Sequence, residues 1–151
     1  MPACAGPARA QASPDPVLLV RYTNDSLGFS MDLPCVPTLQ PPDVIDGSRS
    51  LVCTDSTVTV VILPVRETIN NDREFNAFLK TNRFKNDSFF STRVERTELD
   101  GHRARHVIKS SAIMQVDLLI VADRDLVLII GLSCAPWSII DPKILQSVDL
   151  H

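Results

Sequence analysis

The sequence predicts an α+β fold: a mostly antiparallel β-sheet flanked by helices. Three observations carry this. Thr97 to Leu150 runs as strand, Asp-Gly turn, strand, long apolar strand, Ala-Asp-Arg-Asp turn, long apolar strand and short helix. Asn71 to Lys85 has helical spacing with large apolar groups on one face. The first third alternates short apolar strands with Pro and Asn/Asp breaks.

The elements follow in order. Residues 1–16 read as a leader and 17–151 as one domain. Eight of the eleven prolines lie in the first 42 residues, so the leader is irregular. Val17 to Thr23 is a strand and Asn24-Asp25-Ser26 a turn. Leu27 to Leu33 alternates with the period of a half-buried strand, and Pro34 stops it. Pro37 to Ser48 is a loop. Leu51 to Thr54 and Thr57 to Val65 are strands around an Asp55-Ser56 turn, the second rich in β-branched residues.

Asn71 followed by Glu74 has the spacing of a capping box. Phe75, Phe78, Leu79 and Asn82 then share one helix face, which suits it to cover a sheet. Thr92 to Leu99 and His102 to Lys109 form a hairpin around Asp100-Gly101, because Gly tolerates the positive φ that a two-residue turn needs. That turn sets the register: Leu99 faces His102, Glu98 faces Arg103, Arg96 faces Arg105 and Glu95 faces His106. One face carries Leu99, His102, Ala104, His106 and Ile108. The other carries Val94, Arg96, Glu98, Arg103, Arg105 and Val107, and this charged face is expected to meet water.

Ile113 to Ala122 and Leu126 to Cys134 are the longest strands. The unbroken apolar run from Leu126 to Leu132 predicts a strand covered on both faces. Pro136-Trp137 opens a closing element. A helix begins near Pro142 and runs to Gln146, and Ser147 to Leu150 returns as a short strand.

Composition narrows the function. The 151 residues carry a net charge of −3 and no long basic block, which argues against a nucleic-acid partner. Val116 to Leu132 is the nearest approach to a membrane span, and Asp123-Arg124-Asp125 splits it, so the chain is not expected to span a membrane. Ala10-Gln11-Ala12 resembles a signal-peptidase site before Ser13, which points to export to a periplasm or the extracellular space. Lipid anchoring through Cys4 ranks below simple export, because Met1 and Pro2 fit such a site poorly. With the leader cut, Cys35, Cys53 and Cys134 remain. Cys35 with Cys53 is the preferred bridge, one thiol is left over, and three free thiols are the alternative.

Tyr22, Gly28-Phe29-Ser30-Met31-Asp32-Leu33-Pro34, Glu98-Leu99-Asp100-Gly101-His102-Arg103-Ala104 and Ser147-Val148-Asp149-Leu150 together resemble the PsbP-like family, which includes DcrB-like envelope proteins. The resemblance covers about Tyr22 to Leu150. It implies the α-β-α sandwich and a mostly non-enzymatic role: an accessory subunit, an envelope lipoprotein or a chaperone for hydrophobic segments. The chain departs from the photosynthetic members in its few aromatics and short loops.

His102 and His106 lie about 13 Å apart at a strand rise of ~3.3 Å, too far for joint metal ligation without a third element. His106 opposite Glu95 is the better pair, a pH-sensitive contact and the basis on which an enzyme would rest. Asp123 and Asp125 without further oxygens make a poor calcium site. No nucleophile elbow, zinc motif or phosphate loop is present. No catalytic residue, metal or cofactor is therefore expected. Arg96, Glu98, Arg103 and Arg105 form the patch assigned to a protein partner in the cell envelope. An apolar ligand, either a lipid or a hydrophobic segment, is the alternative, suggested by the long aliphatic strands.

Overall fold

The computed structural model describes residues 19–44, 48–54, 58–80, 90–134 and 143–151. The expected leader with its Ser13 cut, the Asp46-Gly47 and Asp55-Ser56 turns, Asn82, Pro136-Trp137 and Pro142 lie outside these residues. The elements are β1 (Val20–Asn24), β2 (Phe29–Leu33), β3 (Thr38–Leu39), β4 (Leu51–Thr54), β5 (Val58–Arg66), α1 (Asp72–Leu79), β6 (Ser91–Leu99), β7 (His102–Ser110), β8 (Gln115–Asp123), β9 (Leu126–Cys134), α2 (Lys143–Gln146) and β10 (Asp149–Leu150).

Two antiparallel sheets result. The larger has seven strands in the order β3-β4-β5-β9-β8-β7-β6, and the smaller has three in the order β1-β2-β10. The apolar run in β9 occupies the middle of the larger sheet, and both of its faces are buried, as its continuous hydrophobicity predicts. Leu128, Ile130 and Leu132 point into one core with Val60, Ile62, Leu119 and Val121. Val127 and Ile129 point into the other with Ile120 and Val107.

The two faces are covered differently. Helix α1 lays Phe75 and Phe78 on the Val127 face. The opposite face is covered mainly by β2, whose Phe29, Met31 and Leu33 are fully buried, together with Ile144 of α2 and Val148. The fold is therefore α+β and mostly antiparallel, but its second cover is a small sheet with one turn of helix, where the sequence predicts a helical layer. A four-residue helix buries too little surface to cover a sheet alone, and β2 supplies the rest.

Local chemistry explains the joints. Asp100 and Gly101 take φ values of 50° and 79°, and the hairpin register is the predicted one at every pair from Leu99–His102 outward. The Asp100 carboxylate also accepts from the backbone N–H of Leu150 at 2.8 Å, which ties the turn to the C-terminal strand. Gly28 has φ 73°, and its carbonyl accepts from the His151 N–H at 2.8 Å. A Cβ at Gly28 would lie 2.8 Å from the His151 carbonyl oxygen, so the crossing requires glycine. Pro64 lies within β5 beyond the reach of β4, where its missing N–H leaves no ladder partner unsatisfied.

Cys35 and Cys53 are joined in a disulfide, with Cα atoms 5.8 Å apart. The bridge fastens the chain after β2 to β4, and so the small sheet to the large one. No cysteine is a free thiol among the described residues, so Cys134 is not the thiol left over and the three-thiol alternative falls. The bridge spans 18 residues of sequence. Replacing both cysteines with serine is expected to lower unfolding free energy by about 3 kcal/mol, from the loop entropy returned to the unfolded chain. Urea denaturation of the oxidised protein and the double variant measures this; equal midpoints would show that the bridge does not hold the sheets together.

A candidate anion-binding cleft at the start of the helix

Asn71 caps α1 by accepting from the Glu74 N–H at 2.9 Å. Glu74 returns a bond, accepting from the Asn70 N–H at 2.7 Å, one residue earlier than a standard capping box. This cap places Asp72, the first helical residue, over the β6–β7 hairpin.

Three arginines of the hairpin converge on that carboxylate. Arg105 donates from Nη2 to Asp72 Oδ1 at 3.1 Å. Arg103 Nε stands 3.5 Å from the same oxygen, and Arg96 Nη1 stands 3.5 Å from Oδ2. Arg105 is only 3% exposed. Its guanidinium also donates to the Ala104 carbonyl at 2.9 Å and lies 4.5 Å from the Phe75 ring centre, a cation–π contact. The buried charge is thus met by a carboxylate, a carbonyl and an aromatic face, which offsets its desolvation.

The charged face consequently does not all meet water. Helix α1 buries Arg105 and Val107, while Arg96 and Arg103 keep side-chain exposures of 71% and 49%. Between helix and hairpin lies a polar cleft of about 510 Å³, bounded by Asp72, Arg96, Glu98, Arg103 and Arg105. The four residues assigned to a partner from the sequence therefore share one cleft. Glu98 lines it and faces Arg103 in register, yet has no ion-pair partner among the described residues. The carboxylate that organises the arginines is Asp72, 33 residues from Arg105 in sequence, and only the helix docking brings the two together.

The other face of the hairpin carries the predicted Glu95–His106 pair, with Nδ1 and Oε2 3.8 Å apart. The closer partner is Asp117 of β8, buried at 2% exposure, whose Oδ2 lies 3.3 Å from His106 Nε2. Gln115 donates to the other Asp117 oxygen at 3.4 Å. The imidazole thus bridges carboxylates on both neighbouring strands. His102 Nδ1 stands 3.5 Å from Asp123, and Asp125 is taken up by Arg66 at 3.4 Å. Among the described residues no three His, Cys, Asp or Glu side chains are placed to hold a metal ion together.

The hydrogen bond from Arg105 holds the Asp72 carboxyl below the ordinary carboxylate range; the charges of Arg96, Arg105 and Arg103 add to this, against a smaller opposing effect of burial. A depressed folded-state pKa means that Asp72 contributes stability above its unfolded value, about 3.9, and loses it as pH falls through the folded value. Wild type is therefore expected to melt above Asp72→Asn at pH 7, and the two melting curves should converge as pH falls below about 4. A gap in Tm that persists unchanged into strong acid would remove the charge from this account.

Comparison with known proteins bears on the fold. No protein-family model and no curated protein matches the sequence. Among solved structures, cyanobacterial PsbP (CyanoP) from Synechocystis sp. PCC 6803 superposes with a TM-score of 0.58 at 11% identity, covering 97% of this chain and 100% of that one. A Bacteroides thetaiotaomicron VPI-5482 protein superposes with a TM-score of 0.52 at 10% identity, covering 87% of this chain and 48% of that one. At such identities the likeness is one of fold. The near-complete overlap with CyanoP gives this chain the PsbP-like fold.

Proposed function

We propose that the protein is an exported, non-catalytic accessory module of the cell envelope that docks an acidic protein partner through the Arg96, Glu98, Arg103 and Arg105 cleft. The observation that carries the reading is the convergence of three arginines on one carboxylate. Arg96 and Arg103 are exposed and hold their charge toward solvent, where it steers an oppositely charged surface during encounter. The Cys35–Cys53 disulfide supports an oxidising compartment, and therefore export. No helix among the described residues is long and apolar enough to cross a membrane. The PsbP-like fold supports an accessory role by analogy of architecture. The arginine cleft is polar, so it lends nothing to a carrier for an apolar ligand.

Charge reversal tests the reading. Arg96→Glu with Arg103→Glu changes only exposed side chains and keeps Arg105 in the sequence. Chemical crosslinking in the protein's own envelope fraction is expected to lose its specific adduct by about tenfold or more in this variant, and raised salt should weaken the wild-type adduct. Adducts of unchanged identity and yield would rule out this face as the docking surface.

A further inference from the structure

The cleft holds more hydrogen-bond donors than its own carboxylate uses. Each guanidinium presents five N–H donors in a planar fork suited to carboxylate or phosphate oxygens. Arg105 spends its donors inward, on Asp72 and the Ala104 carbonyl. The side chains of Arg96 and Arg103 make no hydrogen bond among the described residues, and both approach Asp72 only to 3.5 Å. Three positive charges face Asp72 and the unpaired Glu98, so the cleft keeps a positive surplus. Its volume of about 510 Å³ leaves room beside the resident carboxylate.

We propose that this cleft is an oxyanion-binding subsite for a ligand bearing carboxylate or phosphate groups, and that Asp72 is a built-in competitor. The ligand's oxygens take the free forks of Arg96 and Arg103. Asp72 gives up only its two long contacts, because its hydrogen bond to the buried Arg105 belongs to the helix packing. The ligand must therefore outbid a charge already present, which selects for groups that reach both forks at once over single monovalent anions. Glu98 at the wall adds a second repulsion. The inference rests on the docking reading above and gives the chemical class that the cleft accepts.

Titration calorimetry of the full chain at low salt, with a hexaglutamate peptide and with inorganic pyrophosphate as probes, tests it. Saturable binding of at least one probe is expected in wild type, weakened about tenfold or more in Arg96→Gln with Arg103→Gln. Asp72→Asn should bind that probe roughly three- to tenfold more tightly, from loss of one nearby negative charge. Glu98→Gln, which removes a charge that holds nothing in place, should tighten binding in the same direction and serves if Asp72→Asn folds poorly. Preference for hexaglutamate identifies an acidic segment as the source, and preference for pyrophosphate a phosphate-bearing one. Absence of saturable binding in every variant overturns the subsite. Unchanged or weaker binding in a folded Asp72→Asn overturns the competitor, as does unchanged or weaker binding in Glu98→Gln where Asp72→Asn does not fold. Either failure, alongside crosslinks that still depend on Arg96 and Arg103, would leave protein docking standing without this subsite.

Discussion

The two-sided burial of β9 is the constraint on which the rest of the molecule depends. A central strand with Val127 and Ile129 on one face and Leu128, Ile130 and Leu132 on the other needs a cover on each side. Neither cover could form alone. Helix α1 has eight residues, short for independent stability in water, and β1-β2-β10 is a small sheet with a two-residue edge strand. Each is stable because it removes apolar surface of β9 and its neighbours from water. The Cys35–Cys53 bridge and the Asp100 contact to Leu150 then fasten the second cover to the large sheet at separate points, and the Gly28–His151 bond closes the small sheet on itself.

The arginine cleft is a consequence of the first cover. Docking Phe75 and Phe78 over Val107 and Ile120 brings the N-terminal turn of α1 down on the hairpin. Arg105 lies beneath it and loses its water. A buried guanidinium without partners would be severely destabilising, so the helix must supply a carboxylate at that point, and Asp72 is that residue. The hydrophobic contact and the ionic contact are thus one joint. Arg96, opposite Arg105 on β6, and Arg103, two residues along β7, are exposed and share the carboxylate without being saturated by it.

The opposite face of the same hairpin shows how position decides what a histidine does. His106 lies between Glu95 and the buried Asp117 and is held from both sides. Asp117 is further satisfied by Gln115. This closed arrangement keeps a buried carboxylate supplied with donors in the interior of the sheet. It contrasts with the cleft on the other face, where donors outnumber acceptors.

Much of this was legible in the order of residues, because the relevant physics is local. Alternation and apolar runs determine the strands, Asp100-Gly101 sets the hairpin register, and Asn71 with Glu74 starts the helix. Each depends on residues a few positions apart. Strand ends were displaced by one or two residues, as at Gln115, where Ile113 and Met114 belong to the preceding turn, and at Phe29, where Gly28 still belongs to the turn. What the tertiary structure decided was which surfaces face one another. Periodicity separates the two faces of the hairpin but does not say that a helix would bury the charged one, nor that Asp72 would meet Arg105 or Asp117 reach His106. Those contacts depend on the angle and position at which α1 docks and on how β8 joins the sheet. Both are settled by the packing of the whole core, so no short stretch of sequence contains them.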